Sequence, residues 1–312
     1  MISLVIPVYR NAENIPSLVE ALQWLARDLD GALEVVFVVD GSPDDCALML
    51  STMLPTLGLR AQLLTLSRNF GSFEAIRAGL EAGRGDCFAV MAADLQEPPS
   101  LVTRFYERLQ SGACDITIGQ RTGRSDPPLR RFMSMLFWAF YRRFVVPDVP
   151  PGGLDVFGCT RSVRDQILRL RERNSSLVGL LLWVGFRREY IPYERRAREI
   201  GDSTWTLRKR LAYLMDSVFS FSALPIQVLL RIGILGLVVS AAFSLVVIGT
   251  KLFSDIPVPG YTATVLLVTF FGALNCFGLG VVGQYVWRTF ENTKLRPGHI
   301  VASREHFEPN PN

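Results

Sequence analysis

The sequence predicts an α/β domain with a mostly parallel sheet, followed by an amphipathic interfacial segment and two membrane-spanning helices. Two observations carry this. Short apolar strands alternate with helix-length segments over the first 120 residues, the pattern of a parallel sheet covered on both faces. Further on, residues 232–250 form a run of 19 without a charge and residues 261–287 another of 27. At 1.5 Å rise per residue these reach roughly 28 and 40 Å, enough to cross a hydrocarbon core of ~30 Å. The expected units are 1–200 for the α/β domain, 201–227 for juxtamembrane interfacial helices, 228–290 for a transmembrane hairpin and 291–312 for a C-terminal tail.

Residues 2–9 read as a first strand closed by proline, and 14–28 have helical apolar spacing through Ile15, Leu18, Val19, Leu22 and Leu25. Residues 33–39 are a β-branched run, 61–66 a third strand and 87–91 a fourth, with a helix to about 82 between the last two. A helix at 99–109 and a strand at 115–119 follow. Residues 204–221 place Trp205, Leu207, Leu211, Leu214, Val218 and Phe219 on one side and Arg208, Lys209 and Arg210 on the other. That pattern suits a helix lying in the headgroup layer, or equally a packed amphipathic helix of the domain. Small residues at 236, 240 and 244 and at 278, 280 and 283 permit close approach of the two spans or of neighbouring copies.

Charge fixes the expected topology. Nine Lys and Arg residues from Arg187 to Arg231 precede the first span, and Arg288, Lys294, Arg296 and Arg304 follow the second. The connector 251–260 carries one Lys and one Asp. Positive residues stay inside, so both termini and the large domain are expected on the cytoplasmic face of the plasma membrane. The chain opens directly into a strand, without the basic and apolar regions of an export signal. The basic excess before the first span suits anionic lipid headgroups. No aromatic–basic interleaving points to nucleic acid.

Five scattered cysteines without a C-x-x-C pair read as reduced packing residues. The only histidines, His299 and His306, follow the second span. A His-ligated zinc site or a Ser-His-Asp triad in the globular domain is therefore not expected, and any metal there must be held by oxygen.

Polar residues gather after the second, third and fourth strands: Asp40, Ser67-Arg68-Asn69, and Asp94 with Gln96. Ligands of open α/β sheets collect at the carboxyl ends of the strands. Asp94 and Gln96 offer hard oxygens for a divalent cation against a diphosphate, and a carboxylate with main-chain groups at this edge suits a nucleobase and ribose. The competing reading of Asp94 is an N-cap for the helix beginning near Pro99. No G-x-G-x-x-G follows the first strand, which argues against a dinucleotide enzyme. Arg121, Arg124, Arg130 and Arg131 precede an aromatic segment, where guanidinium forks match a lipid phosphate; ordinary surface charge is the alternative. A glycine-flanked turn at 150–154 leads to Asp155.

Taken in order, these segments resemble a known family. Pro7-Val8-Tyr9, Asp40-Gly41-Ser42-Pro43-Asp44, Leu66-Ser67-Arg68-Asn69-Phe70-Gly71, Ala93-Asp94-Leu95-Gln96 with Pro98-Pro99, Trp183-Val184-Gly185-Phe186-Arg187, Ser220-Phe221-Ser222, Gly283-Gln284-Tyr285 and Arg296-Pro297 are similar to motifs of the polyprenyl-phosphate glycosyltransferases of glycosyltransferase family 2. That group is dolichol-phosphate-mannose-synthase-like and includes the bactoprenol glucosyltransferases. The resemblance implies a GT-A (Rossmann-like) fold, a nucleotide-sugar donor such as UDP-glucose, Mg²⁺ or Mn²⁺, and polyprenyl (undecaprenyl) phosphate as acceptor. It assigns the nucleotide sugar to Pro7, Tyr9, Asp40, Ser67, Asn69 and Asp94. The metal falls to Asp94 and Gln96, the acceptor phosphate to Arg121 with Arg130 or Arg131, and a base or orienting role to Asp155. It further implies a homo-oligomer, a small membrane flippase as partner, and a role in lipopolysaccharide or cell-wall glycosylation.

Three positions depart from the family pattern: Val39 and Ala92 stand where it has aspartates, and Arg10-Asn11-Ala12 replaces Asn-Glu-Glu. Weaker metal binding is the minimal expectation, and a catalytically silent nucleotide-sugar binder is the rival reading. A processive polysaccharide synthase is disfavoured by the lack of Gln-x-x-Arg-Trp and by only two spans.

Overall fold

The structure, a computed structural model, describes residues 1–122, 135, 138–139, 141–143, 149, 154, 156–170, 172, 176–195, 207–253 and 260–309. Its strands are β1 (Ile2–Val8), β2 (Leu33–Val39), β3 (Ala61–Leu66), β4 (Cys87–Val90), β5 (Ile116–Arg121), β6 (Phe157–Thr160), β7 (Arg188–Tyr193) and β8 (Val301–Phe307). The helices are α1 (Ile15–Asp28), α2 (Cys46–Met53), α3 (Ser72–Ala82), α4 (Ser100–Gln110), α5 (Arg161–Arg169), α6 (Leu177–Trp183), α7 (Leu207–Phe221), α8 (Leu224–Phe253) and α9 (Tyr261–Thr293).

All these strands form one sheet in the order β7-β5-β6-β4-β1-β2-β3-β8. β4, β1, β2 and β3 are mutually parallel, and the pairings Val5↔Val90, Val8↔Val39 and Val39↔Thr65 bring their carboxyl ends level. The sheet is mixed rather than all parallel. β6 runs antiparallel to β4 and β5, β7 is parallel to β5, and β8 is antiparallel to β3.

Strand alternation sorts the core into two layers. Ile2, Leu4, Ile6 and Val8 pack with the apolar sides of α1, α2 and α4, while Val5, Val36 and Val38 pack with α3, α5 and α6. Leu18, Leu22 and Leu25 of α1 are almost wholly buried, each worth about 1.5–3 kcal/mol. Both faces are covered, which is why β1 and β2 read as near-continuous apolar runs.

The segment expected as a trailing tail instead folds back to complete the sheet. Its Arg304 guanidinium donates to Gln62 Oε1 at 2.7 Å. Gln62 Nε2 in turn donates at 2.7 Å to Glu34, a fully buried carboxylate that also accepts from the Ser3 hydroxyl and the Arg84 backbone N–H. The same return brings both histidines into the globular domain, against expectation. His306 Nδ1 lies 3.1 Å from Arg84 Nη2, and the His299 ring lies 3.5 Å from both Glu74 and Glu81. A cavity of ≈ 560 Å³ separates α3 from β8 and the end of α9.

α7 occupies the expected interfacial segment but docks on the domain at its carboxyl half: Val218 is buried, and a Cβ on Gly179 of α6 would lie 2.4 Å from the Phe221 ring. Arg288 of α9, only 8% exposed, pairs with Asp216 of α7 at 2.6 Å. Among the described residues one stretch, Phe270–Thr293, is long and apolar enough to cross a membrane; Leu214–Phe221 and Leu224–Gly236 qualify jointly but meet at a 74° bend. The described residues thus carry one such helix, where two spans were expected.

Candidate functional site

Two loops meet beyond the ends of β2 and β3. Asp40, 3% exposed, accepts from the backbone N–H of Phe70 at 2.7 Å and of Gly71 at 2.9 Å, and its own carbonyl accepts from Asn69 Nδ2 at 3.1 Å. Burial pushes the Asp40 carboxyl above its ordinary value, and those two N–H groups and Arg68 pull it back only in part. Gly41 makes the crossing possible. Its φ of +55° is in the left-handed region, and a Cβ there would lie 2.3 Å from Arg68 C and 2.4 Å from Asn69 N. Asp40 therefore braces the two loops into one wall, with Ser67 and Asn69 exposed beside it.

The β1 loop is tied to the same wall. Arg10 N donates to Ser42 Oγ at 2.7 Å, Ala12 N donates to Asp44 Oδ2 at 3.1 Å, and Ser42 Oγ donates to Asp44 Oδ1 at 2.5 Å. Burial pushes the Asp44 carboxyl up, but its bonds with Cys46, Ser42 and Ala12 outweigh that and leave it below the ordinary value. Pro7 pairs with Val38 at the end of β1, and Tyr9 lies beneath the Arg10 guanidinium, 5.5 Å from it. Arg10 itself has a φ of +55°, a conformation that costs an L-residue about 1–2 kcal/mol.

Beyond β4 the chain turns sharply. Leu95 has a φ of +52°, with Asp94 and Gln96 on either side, and Gln96 N donates to Asp94 Oδ1 at 3.4 Å. The helix-cap reading of Asp94 fails, because the cap position of α4 is Pro99. A strained residue between two candidate ligands is the kind of outlier that clusters at functional sites. Ala92 contributes no donor, and Val39 is packed in the core at 1% exposure. No group of three metal-ligating His, Cys, Asp or Glu residues occurs among the described residues. The oxygens of Asp94 and Gln96 nevertheless fit Mg²⁺ or Mn²⁺, since Mg²⁺ is commonly held by one or two protein oxygens plus substrate phosphate.

Arg121 ends β5 and pairs with Tyr193 of β7, so it stands at the same sheet edge as Asp94, across β6. Arg130, Arg131 and Asp155 lie outside the described residues. Sequence reading missed one residue of this edge: Arg195, just after β7, donates from Nη2 to Gln96 Oε1 at 2.5 Å, and its Nε lies 3.6 Å from the buried Glu97 carboxylate. Nothing in its local sequence distinguishes it from the other arginines nearby.

A sheet whose four central strands run parallel, covered by helices on both faces and with its polar loops at the carboxyl edge, is of the GT-A-like α/β class. The chain belongs to glycosyl transferase family 2, whose model matches residues 3–171, and it is a glycosyltransferase. It is 31% identical to the bactoprenol glucosyl transferase of Shigella phage SfX over 97% of this chain and 99% of that one. Against the prophage bactoprenol glucosyl transferase homolog of Escherichia coli (strain K12) the identity is 30%, over 96% of this chain and 98% of that one. Among solved structures, glucosyl-3-phosphoglycerate synthase from Mycobacterium tuberculosis, in complex with Mn²⁺, UDP-glucose and phosphoglyceric acid, superposes with a TM-score of 0.50 at 18% identity. That match covers 70% of this chain and 77% of the other, and it bears on the fold alone.

Proposed function

We propose that the protein transfers a hexose, glucose from UDP-glucose, to polyprenyl phosphate at the cytoplasmic face of the membrane, with inversion at the anomeric carbon. One observation carries the reading. The family model stops at residue 171, yet the similarity to bactoprenol glucosyl transferases continues through the long helices and β8 over 97% of the chain. The likeness therefore extends to the membrane-anchored part as well as to the sugar-transfer domain.

The return of β8 supports a two-span hairpin in a multi-pass protein. A strand paired with β3 must lie on the same side of the membrane as β3, so the chain between β7 and β8 crosses an even number of times. With the apolar stretch in α9 as one crossing, α8 is the natural second; its 30 residues extend roughly 45 Å.

Asp94 and Gln96 are assigned the divalent cation, which when bound supplies positive charge to the leaving diphosphate. The Asp40–Asn69 wall, Pro7, Tyr9 and Ser67 hold the nucleotide sugar. A phosphate monoester has a second pKa near ~6, so the acceptor is already anionic at pH 7 and needs alignment more than deprotonation. Arg121, with Arg130 or Arg131, grips that phosphate, and Asp155 orients acceptor or sugar. On resemblance alone the proposal extends to a homo-oligomer and to a small flippase for the lipid product.

The test is transfer of labelled glucose from UDP-glucose to undecaprenyl phosphate by the full chain in detergent. Asp94→Ala should abolish it, and undiminished transfer would overturn the cation assignment. Ala92 keeps a second reading in view, a nucleotide-sugar binder without turnover. UDP-glucose binding with no lipid product from any sugar donor, metal supplied, would favour that reading.

A further inference from the structure

The Arg195 guanidinium rests on the residues that the proposed function gives to the cation. Nη2 donates to Gln96 Oε1 at 2.5 Å, and Nε stands 3.6 Å from Oε1 of Glu97. Glu97 is 2% exposed, and a carboxylate so buried needs a cationic partner. Leu95 holds the turn in a left-handed conformation, which keeps Gln96 beside Asp94 while the guanidinium engages it. Arg195 follows directly on β7 and Gln96 follows β4, so this bond spans the strands between them.

The charges at this turn then favour one order of events. Asp94 and Glu97 contribute two negative charges and Arg195 one positive, while Ala92 contributes none. A divalent cation meeting the enzyme alone finds its carboxamide ligand taken and a fixed positive charge beside it. A cation arriving on a nucleoside diphosphate brings its own anionic ligands and has far less need of protein oxygens.

We propose that Arg195 makes cation binding conditional on the nucleotide: it occupies Gln96 in the donor-free enzyme, and the metal enters as its diphosphate complex. This rests on the assignment of the cation to Asp94 and Gln96. It adds a role for a residue that belongs to neither the acidic motif nor the acceptor arginines, and Arg195 is a positioning residue in this scheme.

The experiment is a Mn²⁺ titration of the full-length protein in detergent, with unbound Mn²⁺ read by electron paramagnetic resonance, in the presence and absence of UDP. The wild-type chain should bind Mn²⁺ at least tenfold more weakly without UDP than with it. Arg195→Ala should bind Mn²⁺ alone about tenfold more tightly than wild type and lose most of the UDP dependence. Because that change strands a buried carboxylate, the double variant Arg195→Ala with Glu97→Gln is measured beside it. The double variant restores the net charge of the wild-type turn, so tighter metal binding there reports the release of Gln96 rather than a change in charge. Arg195→Lys should keep part of the UDP dependence. UDP-dependent Mn²⁺ binding that is equal in wild type and both alanine variants overturns the inference while leaving the cation assignment standing. No Mn²⁺ uptake by any of them, even with UDP, overturns the assignment and the inference together.

Discussion

Gly41 and Gly31 offer a matched pair for measuring what the crossing of two loops is worth. Both have left-handed φ, +55° and +74°, but a Cβ on Gly31 meets nothing within 4 Å. Gly31→Ala should therefore cost only the conformational penalty of about 1–2 kcal/mol. In Gly41→Ala the new carbon lies 2.3 Å from a backbone carbon, where ordinary contact is about 3.5–4.0 Å. The loops must part by more than ~1 Å, beyond the reach of the bonds that Phe70 and Gly71 donate to Asp40 at 2.7 and 2.9 Å. Hydrogen bonds to a charged group are worth about 1.5–3 kcal/mol each. Losing part of two brings the total to about 3–5 kcal/mol. Thermal melts of the full chain in detergent, followed by near-ultraviolet circular dichroism, should place Gly31→Ala about 2–6 °C below wild type. Gly41→Ala should melt about 10 °C or more below wild type and lose UDP binding. Two variants melting within a couple of degrees of each other, both binding UDP normally, would refute the account of this wall.

Ala92→Asp should restore an anionic ligand and lower the Mn²⁺ concentration for half-maximal glucosyl transfer about tenfold; a titration of rate against Mn²⁺ reads this directly. Asp44 has a folded pKa below the ordinary carboxylate value, so its contribution is present above the unfolded pKa and fades as pH falls through the folded one. The melting-temperature gap between wild type and Asp44→Asn should thus narrow below about pH 3.8. The thiols divide by burial. Burial pushes Cys46 and Cys114 up to about 11, which leaves roughly one part in ten thousand ionised at pH 7. Cys46, Cys87, Cys114 and Cys159 are all buried, whereas Cys276 on α9 is exposed. A neutral maleimide should label Cys276 alone in mild detergent, and a charged one added to sealed vesicles should label none if that part of α9 lies within the bilayer.

What could be read from the chain followed the physics of each segment. β1, β2, β3 and α3 were legible because apolar runs bounded by Gly, Pro and Asp leave few alternatives, and their ends agree with the structure to within a residue or so. β6 was hidden in a four-residue stretch, Phe157–Thr160, too short for a period to register. β8 was hidden because Val301–Phe307 carries Ser, Arg, Glu and His, which suits an edge strand and reads like a solvated tail. The placement of Asp40, Ser67, Asn69, Asp94 and Gln96 along one edge followed from parallel topology, whereas Arg121 reaches it through the antiparallel β6. The use of Asp40 as a loop brace did not, since a carboxylate spent on backbone N–H groups looks the same in sequence as one offered to a ligand. Arg195 was illegible because its partner lies 99 residues away and several other arginines flank it.

The pairing of β8 with β3 sets the order in which the molecule can be finished. Everything from β1 to β7 leaves the ribosome before the long helices do, yet the outer edge of β3 has no strand beside it until residue 307 has emerged. During that interval an open row of backbone donors and acceptors, with Glu34 and Gln62 behind it still lacking Arg304, faces whatever is near. A nascent chain stalled within α9 would carry a domain able to pair edge to edge with its neighbours. The domain can thus close only after both long helices have been made, and β8 acts as its clasp.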